Sequence, residues 1–176
     1  PDMPTVGVDD VRGATTMTEH LLGLGHRRIG FVLGEPAQAS TPLRLRGFTE
    51  ALRARDLNVE PELIVEGDFS FDSGVRAAEE LLTRDPRITA IFASNDDMAA
   101  GILVAAHRRG LRVPDDISVA GFDDVDLSRM VAPALTTVRQ PTGAMGRRAV
   151  ERLLARLDGV EDATHEEFAT ELIVRG

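Results

Sequence analysis

The sequence predicts an α/β fold: a parallel sheet flanked by helices. From Gly13 onward, helical and strand patterns alternate with short connections, as in repeated strand–helix units. Four strand candidates are short, continuous apolar runs, which are typical of strands covered on both faces. With 176 residues, 43% of them hydrophobic, the chain can bury a substantial core as about one domain, or one domain plus a fragment.

Each predicted element follows from its apolar spacing and its end signals. Gly25 is a suitable C-terminal stop for the first helix, and Pro42 suits the first turn of the second. The opening strand has no partner nearby in the sequence. We predict strands at 4–10, 28–34, 63–68, 88–94, 117–124, 135–138 and 168–175, and helices at 13–25, 41–56, 71–85, 95–110 and 142–159.

Composition excludes several classes of protein. The formal charge is -9 and the sequence pI about 4.9, so the chain offers no positive field for phosphate backbones or anionic lipid. No apolar run approaches the roughly 20 residues of a membrane span, and the first ten residues lack the regions of a signal peptide. We therefore expect a cytoplasmic protein with no membrane partner and no DNA binding by this chain alone.

The usual signatures of catalysis are missing. Cysteine is absent and all 20 basic residues are Arg, so thiolate, Cys-ligated zinc, Schiff-base and Walker lysine chemistry are excluded. No two of the four histidines have the spacing that places two metal ligands on one helix face, and G-x-S-x-G does not occur. We expect no enzyme, no catalytic residues, no metal site and no cofactor.

Polar side chains follow the carboxyl ends of four predicted strands, and in a parallel sheet these ends meet at one edge. A rigid guanidinium donor, a carboxylate acceptor and an amide together suit the neighbouring hydroxyls of a sugar or polyol, and a phenyl ring could stack on its apolar face. The candidate ligand-binding residues are Gln38, Ser40 and Arg44 after the first strand, Phe69 after the second, Asn95 after the third and Asp123 after the fourth.

Most of these residues also fit a structural role. Asn95 is a good helix N-cap, and the helix dipole alone explains Asp96 and Asp97 after it. Arg44 taken singly could be a solvated arginine on an arginine-rich helix, and Phe69 could staple its helix to the core. The acidic run at 123–126 could be a solvated loop, since it lacks the glycine and the frame of a calcium loop.

Five motifs in order resemble the effector-binding part of the lactose-repressor and galactose-repressor family of bacterial transcription regulators. They cover nearly all of the chain. The block from Ile91 to Asp124, followed at a short interval by PALTTVRQP, is highly specific. The motifs are VGVDDVRGA, LLGLGHRRIGFVLG, LRLRGFTEAL, AIFASNDDMAAGILVAAHRRGLRVPDDISVAGFDD and PALTTVRQP.

The resemblance implies two similar α/β subdomains, joined by three crossovers, that close on a ligand. By position, Arg44 matches the family's effector-binding arginine, Asn95 and Asp123 match polar effector contacts, and Phe69 matches an aromatic that packs on the ligand. Gln38 falls where some members place a second arginine for an anionic effector. This departure favours a neutral ligand.

The resemblance also implies that part of the family's architecture lies outside this sequence. Family members begin with a helix-turn-helix headpiece and then build most of the N-terminal subdomain. We expect the C-terminal effector-binding subdomain at 11–130 with a return strand in 161–176, and remnants of the N-terminal subdomain at 1–10 and 131–160.

The expected function is therefore that of a sugar-sensing domain of a transcriptional regulator, such as a repressor, that reaches DNA only through the missing headpiece. A sugar-binding protein of a transport system is the alternative. We expect Arg44→Ala to abolish effector binding and leave the fold intact. The last predicted helix carries an apolar stripe that would lack its covering sheet, which predicts self-association, a homodimer being favoured; the stripe comprises Met145, Ala149, Leu153, Leu154 and Leu157.

Overall fold

The computed structural model describes residues 4–160 and 164–175, which form helices α1 to α6, strands β1 to β8 and a 3-10 turn at Pro61–Leu63. The helices are α1 (Asp10–Gly23), α2 (Ser40–Arg53), α3 (Phe71–Arg84), α4 (Asp96–Arg108), α5 (Leu127–Met130) and α6 (Thr142–Leu157). The strands are β1 (Thr5–Val8), β2 (Ile29–Val32), β3 (Ile64–Val65), β4 (Ala90–Ala93), β5 (Ser118–Ala120), β6 (Thr137–Arg139), β7 (His165–Phe168) and β8 (Glu171–Ile173).

The predicted α/β fold is confirmed. The central sheet has four parallel strands in the order β3-β2-β4-β5, with Phe31 of β2 aligned with Ile64 on one side and Phe92 on the other. Every residue of β2 and of β4 is buried, because helices cover both faces of the sheet.

Alternation along the strands divides the core into two layers. On the face covered by α1 and α2, the Phe31 ring stacks on Phe48 with centroids 4.7 Å apart and meets Phe92 edge-on at 5.3 Å. On the face covered by α3 and α4, Val32 and Ile91 pack among the aliphatic side chains of those helices. Successive strand residues point to opposite faces, so both faces are apolar.

Glycine allows α3 and α4 to approach at backbone distance. A Cβ at Gly74 would overlap the carbonyl oxygen of Met98, and one at Gly101 would overlap that of Phe71. This close approach fixes the position of α4 against α3, and α4 begins at the candidate site.

The end of the chain differs from the prediction. The strand expected at 168–175 is the shorter β8, which pairs antiparallel with β6, and it is preceded by a strand that we did not predict, β7, which pairs in parallel with β1 in a different sheet. Ala169 and Thr170 separate β7 from β8. Each of these two strands pairs with a strand that is distant in the sequence. The opening strand thus finds its partner about 160 residues away. Short α5 is not among the predicted helices. Residues 1–3, 161–163 and 176 of the predicted segments lie outside the described residues.

The last predicted helix is present as α6, which packs against β1. Arg152 is its one buried residue among those described. Large apolar side chains are exposed along the helix and just after it: Val150, Leu153, Leu154, Leu157 and Val160. The described part of the chain contains no helix long and apolar enough to cross a membrane.

Candidate functional site

Arg44 lies at the centre of a polar cluster at the carboxyl edge of the sheet. Its Nε donates to Oδ1 of Asp10 over 2.7 Å, its Nη1 donates to the carbonyl oxygen of Ser94, and the same Nη1 is 3.5 Å from Oδ1 of Asp123. The guanidinium carbon stands 3.8 Å from the centroid of the Phe122 ring. Arg44 is 4% exposed, so the alternative of a solvated arginine is wrong.

Asp123 follows β5 and faces this guanidinium. Its backbone φ is 114°, in a region that residues other than glycine rarely adopt. Its backbone N–H donates to the carbonyl oxygen of Val138 at 2.7 Å. Nε2 of Gln140 donates to Oδ1 at 2.5 Å. Burial raises the pKa of Asp123, although the Arg44 charge and the Gln140 bond oppose the shift. The carboxylate is oriented by donors from two other segments.

Asn95 has the predicted cap role and a second contact. Its Oδ1 accepts from the Met98 N–H at 2.9 Å, and its Nδ2 donates to the carbonyl oxygen of Phe69, also at 2.9 Å. Phe69 has a φ of 66°, and its half-buried ring lies so close to Gly34 that a Cβ there would overlap it. The amide of Asn95 thus fixes the backbone of the residue whose ring borders the sheet edge.

Gln38 lies just before α2 and Ser40 at its start. Gln38 is exposed, and its backbone belongs to the turn that leads into α2; its N–H donates to Glu35 and its carbonyl accepts from Thr41. Ser40 is the first residue of α2 and is half-buried. Neither side chain is among the contacts of Arg44, Asn95 and Asp123 described above.

Three members of the cluster were not among the predicted site residues. Asp10, Phe122 and Gln140 come from α1, the end of β5 and the segment after β6, which are distant in the sequence. Burial raises the pKa of Asp10, and the Arg44 charge beside it opposes this. The repeated Asp in the VGVDD motif was a signal for Asp10, but no local pattern predicts that Gln140 reaches Asp123.

The interpretation of the acidic run at 123–126 as a solvated loop is wrong for Asp124. Its side chain is fully buried among arginines: Nε of Arg139 donates to Oδ2 at 2.6 Å, Arg175 donates to Oδ1, and Arg129 stands 3.7 Å away. Burial opposes its charge, but the bonds from Arg175 and Arg139 outweigh that effect and lower the pKa of Asp124. Asp124 therefore links the loop to β6 and to the last described residues.

The interpretation that the helix dipole alone explains Asp96 is incomplete, because Asp96 also makes specific contacts. The residue is 0% exposed; its Oδ1 accepts from the Thr137 hydroxyl at 2.5 Å and its Oδ2 from the Val125 N–H at 2.9 Å. Asp97, next to it, is exposed, as the dipole interpretation requires. Asp96 thus connects the site loop to α4.

A groove of about 590 Å³ opens beside this cluster. It runs along the loop after β5 and the segment after β6, where carboxylates and arginines alternate; its lining is Asp123–Asp126, Arg129, Arg139, Gln140 and Thr142. Within residues 4–160 and 164–175, no group of three His, Cys, Asp or Glu side chains is arranged to hold a metal ion. Donors and acceptors at this edge can bind a small polar molecule.

A parallel sheet with polar side chains gathered at its carboxyl edge defines a ligand-binding α/β domain. The chain belongs to the periplasmic binding protein-like domain family, whose model matches residues 18–176. The predicted resemblance to the lactose-repressor type of regulator is also confirmed by its relatives.

Two curated relatives are transcriptional repressors. The chain is 38% identical over 176 residues to the HTH-type transcriptional repressor CytR of Escherichia coli strain K12, covering 99% of this chain and 52% of the relative. It is 37% identical over 181 residues to the HTH-type transcriptional repressor PurR of Haemophilus influenzae strain PittEE, covering 99% and 54%. The chain spans about half the length of the curated relatives it matches.

Solved structures give the same picture. A complex of the transcriptional regulator CelR with cellobiose superposes with a TM-score of 0.94 at 37% identity, covering 97% of this chain and 52% of that chain. The Lac repressor bound to ONPG in its repressed state gives a TM-score of 0.89 at 33% identity, with coverages of 97% and 51%.

Proposed function

We propose that this chain is the effector-binding domain of a bacterial DNA-binding transcriptional regulator and that its effector is a sugar or a related small neutral molecule. The observation that carries the proposal is the Arg44 cluster at the carboxyl edge of the sheet. Nη2 of Arg44 is not engaged by Asp10, Ser94 or Asp123, which bond its other nitrogens. That nitrogen is therefore suited to donate to a ligand oxygen.

The charge balance around Arg44 supports a neutral ligand. Asp10 neutralises the guanidinium through a direct hydrogen bond, and Asp123 adds a second carboxylate at 3.5 Å. An anion entering here would meet two carboxylates. A hydroxyl both donates and accepts, so it can bind between a guanidinium and a carboxylate.

We assign the ligand contacts to Arg44, Asn95, Asp123 and Phe69, with Gln38 and Ser40 at the margin. The relatives support a carbohydrate, since CelR was solved in complex with cellobiose.

We assign residues 11–130 and the return segment 161–176 to the effector-binding subdomain, and 1–10 and 131–160 to a second subdomain. The pairing of β1 with β7 in a sheet of their own supports a second body at that end, to which the first strand of the return segment also contributes. The net charge of -9 supports DNA contact through another part of the protein. We infer a cytoplasmic homodimer without catalytic activity. The named relatives favour a regulator over a sugar-binding transport protein.

Titration calorimetry on the intact protein tests the proposal. A panel of cellobiose, ribose, galactose, cytidine and inorganic phosphate is screened first by thermal shift. The best binder is then titrated into Arg44→Gln and into Arg46→Gln, the matched control, whose side chain is exposed and pairs with Glu50 on the same helix. We expect Arg44→Gln to weaken binding at least tenfold, since a hydrogen bond from a charged donor contributes about 1.5–3 kcal/mol, and Arg46→Gln to bind normally. Equal affinity of the two variants, or phosphate as the best binder, would contradict the proposal.

A further inference from the structure

Asp96 stands where three parts of the chain meet: the first turn of α4, the loop 121–126 and strand β6. Its two carboxylate oxygens take one bond from each of the other parts, from the Val125 N–H and from the Thr137 hydroxyl. Val125 is two residues beyond Asp123. The bond to Val125 therefore holds the loop immediately after the proposed ligand contact.

The loop depends on such an external contact. Asp123 and Asp124 both have positive φ, 114° and 57°, and residues other than glycine rarely adopt the value of Asp123 unless the surroundings hold them. Gly121 leaves the room for Asp96, because a Cβ there would overlap Oδ1 of Asp96. The loop and α4 are thus in contact at the point where Asp96 bonds.

We propose that Asp96 is the positioning residue that holds Asp123 in place for the ligand, and that proton uptake by the Asp96 carboxylate changes its bonds to the loop and to β6. The proposal rests on the proposed function, since Asp123 is one of its ligand contacts. Asp96 itself acts only through the loop.

The charges around Asp96 make this proton uptake accessible near neutral pH. Asp96 forms no ion pair within the described residues, and the charges that face it are the carboxylates of Asp123 and Asp124. Arg44 pairs with Asp123, and Asp97 of α4 is exposed to solvent. Asp124 is surrounded by three arginines: Arg129, Arg139 and Arg175. Burial raises the pKa of Asp96 to about 7, and Asp123 and Asp124 add to the shift against the bonds from Thr137 and Val125.

Protonation changes what the carboxyl can do. As a carboxylate, Asp96 accepts from both Thr137 and Val125, and hydrogen bonds to a charged acceptor are roughly twice as strong as neutral ones. Once protonated, one oxygen becomes a donor and Thr137 has to turn its own hydrogen elsewhere. Proton uptake therefore rearranges the bonds through which Asp96 joins β6 and the loop to α4.

Nuclear magnetic resonance on the intact protein, labelled with ¹³C at aspartate side chains and ¹⁵N at valine, tests this without any ligand. We expect the Asp96 carboxyl carbon and the Val125 amide to titrate together near pH 7. In Asp96→Asn, which does not titrate and keeps one acceptor oxygen where the carboxylate has two, we expect that transition to vanish and the Val125 amide to exchange with solvent on the order of tenfold faster at pH 8. Asp97→Asn, the exposed neighbour on the same turn, is the matched control and should match the wild type.

A second variant keeps Asp96 and removes one donor. In Thr137→Val, we expect the midpoint of Asp96 to shift upward, because the Thr137 bond lowers its pKa in the wild type. An Asp96 carboxyl that titrates below pH 5, or a Val125 amide that does not follow it, would overturn the proposal. Neither readout needs a ligand, so an unexpected result would contradict the role of Asp96 without contradicting the assignment of sugar binding. With a ligand in hand, its affinity should vary between pH 6 and 8 in the wild type and stay flat in Asp96→Asn.

Discussion

The guanidinium of Arg44 donates from Nε to Oδ1 of Asp10 over 2.7 Å, and this bond joins α2 to the first turn of α1. Both side chains are buried, with 5% and 11% exposed. Removing one member of a buried ion pair leaves the other charge uncompensated. We therefore no longer expect Arg44→Ala to leave the fold unaffected, because Arg44 stabilises the domain in addition to its proposed contact with the ligand.

Arg44→Ala should lower the free energy of unfolding by about 3 kcal/mol, as expected for a broken buried pair. Adding Asp10→Ala should recover part of the loss, because the stranded carboxylate is then gone. The control is Arg46→Ala, an exposed pair with Glu50, for which a change within about 0.5 kcal/mol is expected. Urea unfolding at pH 7 measures all three, and equal losses in Arg44→Ala and Arg46→Ala would exclude a role of Arg44 in stability.

Asp124→Asn should destabilise the domain by about 3 kcal/mol at pH 7, because the fully buried carboxylate compensates Arg139 and Arg175. Asp126→Asn, on the exposed side of the same loop, is the control and should change little. Because the pKa of Asp124 is lowered on folding, its contribution persists above about pH 4 and is lost only at lower pH. If the loss in Asp124→Asn were absent at pH 7, the arginines would be stabilised by other groups.

Asp96 should make the free energy of unfolding fall as pH rises, which is the reverse of the usual effect of a carboxylate. Its pKa rises from 3.8 to about 7 on folding, so the folded chain holds one more proton than the unfolded chain between these values. The free energy of unfolding therefore falls as pH rises from about 4 to about 7 and levels off above. Burial and the charge of His20 lower the pKa of His26 from its usual value of 6.5. Through His26, the free energy of unfolding therefore rises with pH at values below 6.5, opposite to the effect of Asp96.

The comparison of wild type with Asp96→Asn isolates this effect, because His26 is common to both. Urea midpoints at pH 5.5, 6.5, 7.5 and 8.5 should fall more steeply for the wild type. Parallel profiles for the two proteins would mean that Asp96 does not titrate in this range.

The close approach of α3 and α4 predicts opposite outcomes for two helical glycines. Gly101→Ala places a methyl group against the carbonyl of Phe71, so the helices must move apart, at a cost of about 1–3 kcal/mol. Gly146→Ala in α6 meets no atom within 4 Å and should stabilise by about 0.5–1 kcal/mol through helix propensity. Thermal unfolding followed by circular dichroism measures both, and a stabilising Gly101→Ala would show that these helices are not in backbone contact.

The exposed face of α6 predicts self-association of this 176-residue chain. Leu153, Leu154 and Leu157 are 54%, 55% and 76% exposed, and burying each is worth about 1.5–3 kcal/mol. Size exclusion with light scattering should detect an oligomer at micromolar concentration, and Leu154→Glu with Leu157→Glu should shift it toward monomer. Glu151→Gln on the same helix is the control. A monodisperse monomer of the unaltered chain would contradict the prediction.

Much of the fold was accessible from the sequence because it depends on local patterns. The short apolar runs that became β2 and β4, and the cap at Asn95, act over a few residues. The convergence of Arg44, Asn95 and Asp123 at one edge also followed from the sequence, since the carboxyl ends of parallel strands meet. The sequence by itself therefore determined the sheet, the helices around it and the edge at which polar groups gather.

Only the tertiary structure decided which partners these groups have. Asp124 belongs to the acidic run at 123–126, which resembles a solvated loop in sequence, yet it is buried against Arg139 and Arg175. Asp96 and Asp97 are adjacent and identical in type, but one is buried against Thr137 and the other faces solvent. Burial and ion pairing join residues that are distant along the chain, and the energy of a charge depends on those neighbours, which local sequence does not contain.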